Sequence, residues 1–452
     1  GGALVAYADV GERELEQLFA DDRLPPDAAD GASLDVAFAD GIADGDGVEG
    51  AGIGDGDGTG EVAGAGVDLA ASDVVDVRGV DVLIGGAAAD GTGDGAGDVR
   101  LIARGGPAGG DVTVDGNSDL AAAGDLVALA GDDVRLVSTS DVDGALVAYA
   151  DVTEDELSGL LADGLLPPDA DTDGSPGVDA GFSGAIVDGV GGGDAPDGDV
   201  LVDVAGAADI AIKGANVDVT PLASDAGDIS LVARAGDITI RGDQNAADRF
   251  GAIAADDVEA DAVTVRINAA NEAIVVADAD VAEVSALADE GFAPDDTLGT
   301  PASADGVGAV RLADDAVEVG SVEIRGTSVE VGDVEAFGTD AVDGDVRLLA
   351  RDLDSADGVD TGAVTVTSRA RARDDLVALG GGDVTVSGID ADPEDGGETV
   401  IVADIRATDF TALPEDDLRP VGVSAGNLVD GTGGGTAGRS EERRVGKECT
   451  LR

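Results

Sequence analysis

Four Asp-x-Asp-Gly tetrapeptides set carboxylates at alternate positions ahead of a glycine: Asp44 and Asp46, Asp55 and Asp57, Asp141 and Asp143, Asp171 and Asp173. Hard oxygen donors at that spacing suit Ca²⁺. None of the four completes an EF-hand loop, and none continues as a Gly-rich calcium nonapeptide. Asp44, Asp46, Asp55, Asp57, Asp171 and Asp173 are carried forward as calcium candidates, against the alternative of acidic loops with diffuse cation binding. No other cofactor is expected. Arg241-Gly242-Asp243 spells a cell-attachment tripeptide and is the one candidate adhesion motif, directly after a short strand phrase.

Most other site chemistry is excluded by composition. The chain has no His and a single Cys, Cys449, so Ser-His-Asp and Cys-His nucleophiles and zinc ligand sets are absent. No phosphate-binding glycine loop sits between a strand and a helix. Paired carboxylates for polysaccharide cleavage could be drawn from 96 acidic residues. Each candidate, however, recurs as a turn Asp in neighbouring phrases, so none is assigned a catalytic role and the chain reads as a non-enzyme.

Basic residues are rare and regularly placed. Arg104, Arg234 and Arg351 each follow a Leu-[Ile/Val/Leu]-Ala triplet, and Arg78, Lys213 and Arg325 each follow a Val or Ile in an earlier phrase. Charge compensation is the expectation: exposed cations beside turn Asp residues of adjacent coils, each pair worth ~0–1 kcal/mol.

The net charge is −71, with acids spread among Val and Leu rather than run together. That pattern differs from an acidic disordered tail and matches an acidic surface held folded by brine. Screening shortens the Debye length to ~3 Å at 1 M salt. The charge argues against nucleic-acid partners and against anionic membrane surfaces, leaving cations, an unidentified surface ligand or neighbouring cells. No stretch approaches the ~18 apolar residues of a transmembrane helix, so no membrane insertion is expected.

These residues are carried by recurring phrases. A strand with its basic residue (Val77–Val82, Ile212–Val219, Ile324–Val331) is followed by GDVRLIAR from Gly97, GDISLVAR from Gly227 or GDVRLLAR from Gly344. Then come GDVTV from Gly110, GDITI from Gly236 or GAVTV from Gly362, and DLVALAGDDV from Asp125, GAIAADDV from Gly251 or DLVALGGGDV from Asp375. Val and Ile alternate with polar residues, the period of a strand. Gly is expected to supply positive φ at each turn and Asp to bond its local backbone. Phrases of four to six residues, 14 to 19 residues apart, predict a coil of about three short strands.

A closing phrase ends each set: ALVAYADV-GERELEQLFADDRLPPD from Ala3, ALVAYADV-TEDELSGLLADGLLPPD from Ala145, and weaker copies from Ala273 and Thr399. Its strand leads into a short helix: Leu15, Leu18 and Phe19, like Leu157, Leu160 and Leu161, lie at i, i+3, i+4. Pro25-Pro26 and Pro167-Pro168 stop it. Leu15, Leu18, Leu157 and Leu160 are expected to face the coil. Modules are therefore drawn at 28–169, 170–296 and 297–421, after the tail of a preceding module at 1–27 and before a Gly-rich segment at 422–438. Residues 439–452 read as a non-native tail: Arg439–Cys449, RSEERRVGKEC, resembles a translated reading frame of a sequencing-library adapter, and five of the 25 basic residues lie in these last 14 positions. With a Gly-Gly start inside a repeat, the chain reads as a metagenomic fragment.

The expected fold is all-β, a parallel β-helix or solenoid of long modules, each punctuated by one short helix. Tandem β-sandwiches are the alternative, disfavoured because nine aromatics serve the whole chain. About 20 residues and ~4.8 Å per coil would make a rod of at most ~100 Å. The GDVxLxAR…GDVTV phrasing resembles the repeat regions of filamentous haemagglutinin-type exoproteins and adhesins, over most of residues 60–400. The resemblance implies a right-handed β-helix, export, and a place outside the cell or on its surface as an adhesive filament. The extreme acidity and the helical punctuation depart from that pattern. The functional expectation is a structural or adhesive segment of a large secreted or cell-surface protein of a halophilic microbe. The alternatives are a β-helix polysaccharide lyase or hydrolase and an acidic, cation-binding surface coat.

Overall fold

A computed structural model describes, with short gaps, residues 61–166, 200–292 and 308–402, together with the strand pieces Leu4–Tyr7, Ala29–Asp30 and Ser33–Leu34. The calcium candidates Asp44, Asp46, Asp55, Asp57, Asp171 and Asp173 lie outside the described residues, as do Leu15, Leu18, Arg104 and the tail at 439–452. The chain divides into two compact units, Gly1–Ala215 and Asn216–Arg452.

Both units are parallel β-solenoid, as the phrasing predicts. In the first, the strands β1 (Val74–Gly79), β2 (Asp98–Ala103), β3 (Leu126–Ala130), β4 (Leu146–Tyr149) and β5 (Ile210–Gly214) stack in that order, each parallel to the next. Between β3 and β4 the chain turns through two more strands, Val134–Val137 and Ser140–Val142, which lie on Val112–Val114 and Leu120–Ala122 of the preceding coil. One coil thus has three short strands. In the second unit the equivalent stack is β6 (Ile229–Ala233), β7 (Arg249–Ala254), β8 (Arg266–Val276), β9 (Ala309–Gly326), β10 (Val346–Ala350), β11 (Leu376–Gly380) and β12 (Thr399–Val402). The parallel registers do not fit tandem β-sandwiches, whose sheets are antiparallel.

The interior is filled by columns of identical phase. Val75, Val99, Leu126, Leu146 and Ile210 form one; Val77, Leu101, Ala128, Ala148 and Ile212 form the next, all buried. Alanine rungs among larger aliphatics keep the interior narrow enough to fill without Trp or Met. Burial of these apolar side chains, at roughly 25 cal/mol per Å², is the main stabilising contribution.

Strands β3 and β4 are buried at every position, a two-sided burial that a strand exposed on its outer face would lack. Helix α1 (Glu154–Ala162) covers the outer face of the first unit and α2 (Val281–Asp289) that of the second. The chain leaves the sheet through Asp151 (φ 51°) and Asp278 (φ 53°), buried non-glycine residues in the left-handed region. Asp is among the side chains that tolerate this conformation. Gly164 (φ 77°) ends α1, with Leu165 N donating back to Leu160 O. As the leucine spacing predicts, Leu157 and Leu160 face the coil. They pack with Ile102, Val127, Leu129, Val147 and Tyr149. In the second unit Val284 and Leu287 pack on Val232, Ile253, Ile274 and Val276, with Phe292 closing the cluster.

Candidate functional site: buried ion pairs under the helices

Each helix carries a glutamate in its first turn that is withdrawn from solvent. In the first unit Glu156 Oε1 lies 3.2 Å from Lys213 Nζ, both side chains at 0% exposure. The same ammonium stands 4.9 Å from the Tyr149 ring centroid, close enough for a cation–π attraction. In the second unit Glu283 Oε2 accepts from Arg351 Nη1 at 2.7 Å, and its Oε1 lies 3.6 Å from Arg325 Nη1. Arg325 is also paired with Glu323. Arg351 donates further from Nη2 to the carbonyls of Ala277 and Asp278, at 2.9 and 3.0 Å. The backbone segment leading into α2 is thereby tied to a coil two rungs away.

This corrects the expectation of exposed charge compensation. Arg78, Lys213, Arg234, Arg325 and Arg351 are all buried. The strand period does place Arg78, Lys213 and Arg325 on the outer face, but at Lys213 and Arg325 that face meets the first-turn glutamate of a helix. Arg78 is held by Asp76, with Nε to Oδ1 at 3.0 Å and Nη2 to Oδ2 at 3.1 Å. The glutamates were missed by sequence reasoning. The available signal was Glu14, Glu156 and Glu283 at one phase of three closing phrases, in a chain whose cations are also phased.

The turn aspartates do a second job. Asp98 Oδ1 accepts from Asp125 N and Asp125 Oδ1 from Ala145 N, at 3.1 and 2.9 Å. Asp81 and Asp111 do likewise for Asp111 and Asp133. In the second unit the ladder runs Asn216, Asp237, Asp257, Ala309. Each carboxylate therefore caps the backbone of the next coil rather than its own turn. The preceding glycine is required for room as much as for φ. A Cβ at Gly144 would stand 2.4 Å from Asp125 Oδ1, and one at Gly236 2.0 Å from Asn216 Oδ1. Positive φ is needed at other Gly-Asp steps, as at Gly97 (φ 85°) and Gly344 (φ 95°). The ladder predicts that Asp125→Asn keeps full stability in urea melts, as Asn216 does the same work naturally. Asp125→Ala should lose about 1–3 kcal/mol by stranding the Ala145 N–H.

The adhesion tripeptide is built into this scaffold. Arg241 Nη2 lies 2.7 Å from Asp218 Oδ2, and Asp243 Oδ1 accepts from Arg266 N at 3.0 Å. A Cβ on Gly242 would meet Pro221 Cγ at 2.3 Å. Among the described residues, one acidic trio, Asp237, Asp256 and Asp257, has carboxylate oxygens within 4.8 Å of one another. Two of its members are ladder rungs, and Asp257 also binds Arg311, whose guanidinium is held above its ordinary pKa chiefly by that hydrogen bond. Asp141 lies in the strand Ser140–Val142 and Asp143 directly follows it, with Asp143 N donating to Ala122 O at 2.9 Å. Comparison with family models, with curated proteins and with solved structures returned no match.

Proposed function

We propose that the chain is a non-enzymatic structural and adhesive repeat segment of a large secreted or cell-surface protein from a halophilic microbe. The observation that carries this reading is that the polar chemistry recurs from coil to coil. The ladder aspartates cap neighbouring backbone, and Glu156, Lys213, Glu283, Arg325 and Arg351 serve helix attachment. A hydrolase or lyase would need one irregular coil with convergent groups. The repetition among the described coils supports the structural reading, in which weak contacts to a cell coat or neighbouring cell add by multivalency.

The test uses the purified chain on beads in multimolar KCl. Saturable retention on halophilic cells or their isolated surface polysaccharide is expected, with no release of reducing sugar or unsaturated uronate from acidic polysaccharides. Release of either product, abolished by substituting a single carboxylate, would replace this proposal with the enzymatic one.

A further inference from the structure

In both units the outward column beneath the helix is bounded by a cation. In the first it runs Arg78, Ile102, Leu129, Tyr149, Lys213, in consecutive register. In the second it runs Val232, Ile253, Val276, Arg325, Leu349, Leu379. Three apolar rungs precede each latch cation, and the helix packed on those rungs sends its first-turn glutamate to that cation.

We propose that these buried cations are spacers, fixing which rungs of the solenoid each helix covers. The apolar rungs alone cannot do this. Hydrophobic attraction is non-directional, and rungs repeat every ~4.8 Å, so a helix displaced by one coil meets a nearly equivalent surface. In the second unit the column beyond Arg325 is again apolar and buried at Leu349 and Leu379. The cation therefore stands between two covered apolar tracts. A slide in either direction separates Glu156 from Lys213, or Glu283 from Arg325 and Arg351, and leaves a buried charge uncompensated. A buried ion pair is a poor source of net stability compared with apolar side chains of similar volume. Its value at these positions is that it rejects the displaced arrangements.

The experiment reads the position of α1 directly. In a Cys449→Ser background, spin labels are placed at Asp163→Cys, exposed just past α1, and at Arg135→Cys, exposed on the strand Val134–Val137. Electron–electron distances are then measured in multimolar KCl. With the latch intact, one distance is expected. In Glu156→Leu/Lys213→Leu, two distances are expected, differing by up to about 5 Å, the full displacement of one rung, with a melting temperature unchanged or raised. The exchanged pair Glu156→Lys/Lys213→Glu should return the single distance. One unshifted distance in the double-leucine protein would overturn the proposal. So would its loss of β circular dichroism, which would make the pair a requirement of folding, or a failure of the exchanged pair to restore the single distance.

Discussion

Transfer of the protein from multimolar KCl to dilute buffer is expected to abolish its β circular dichroism. The reason is more specific than a net charge of −71. The aspartate ladders hold carboxylates in columns, one coil apart, because each caps the backbone of its neighbour. At ~4.8 Å, two unit charges in water repel by about 0.9 kcal/mol, and every rung adds another such pair. At 1 M salt the Debye length is ~3 Å, shorter than the rung spacing, whereas at 0.01 M it is ~30 Å and the whole column repels itself. The buried pairs under the helices are shielded from solvent and should change little, so loss of structure should begin in the coils. A spectrum that stays the same in dilute buffer would refute both the salt requirement and the halophilic reading.

Removing one side of the larger latch is expected to be the most damaging single change. Glu283→Gln removes the carboxylate shared by the buried guanidiniums of Arg325 and Arg351, while Glu323 stays paired with Arg325. Breaking such a cluster from one side costs about 3–5 kcal/mol, against a typical total stability of ~5–15 kcal/mol. Urea melts at constant high salt should show the loss. The half-exposed Arg371, which bridges Glu335 and Asp390 at 3.0 and 2.8 Å, is the control: Arg371→Ala should scarcely move the midpoint. Equal effects from the two substitutions would mean that burial of the latch contributes nothing.

The solenoid was legible in the sequence because its signals are local. A Gly-Asp step followed by alternating Val or Ile sets strand, turn and inward face within five residues. The helix was legible from the spacing of Leu157, Leu160 and Leu161. The latch was not, because Glu156 and Lys213 are separated by 57 residues and Glu283 and Arg351 by 68. Strand periodicity alone placed Lys213 and Arg325 on an outward face and could not say that the face was covered. The aspartates were read half correctly. They sit at turns as expected, but their hydrogen bonds reach 20 to 52 residues along the chain, a distance that turn chemistry does not reveal.

The order of cations and apolar rungs also bears on how such a gene can lengthen. Unequal recombination that inserted a single coil would keep the interior columns and the aspartate ladder intact. It would nevertheless set a helix glutamate opposite leucine or isoleucine. Recombination that copied a helix together with its three apolar rungs and its cation would leave every buried charge matched. Selection acting on such events favours growth by whole blocks, and the closing phrase at Ala3 returns at Ala145, 142 residues later, with its tyrosine in place.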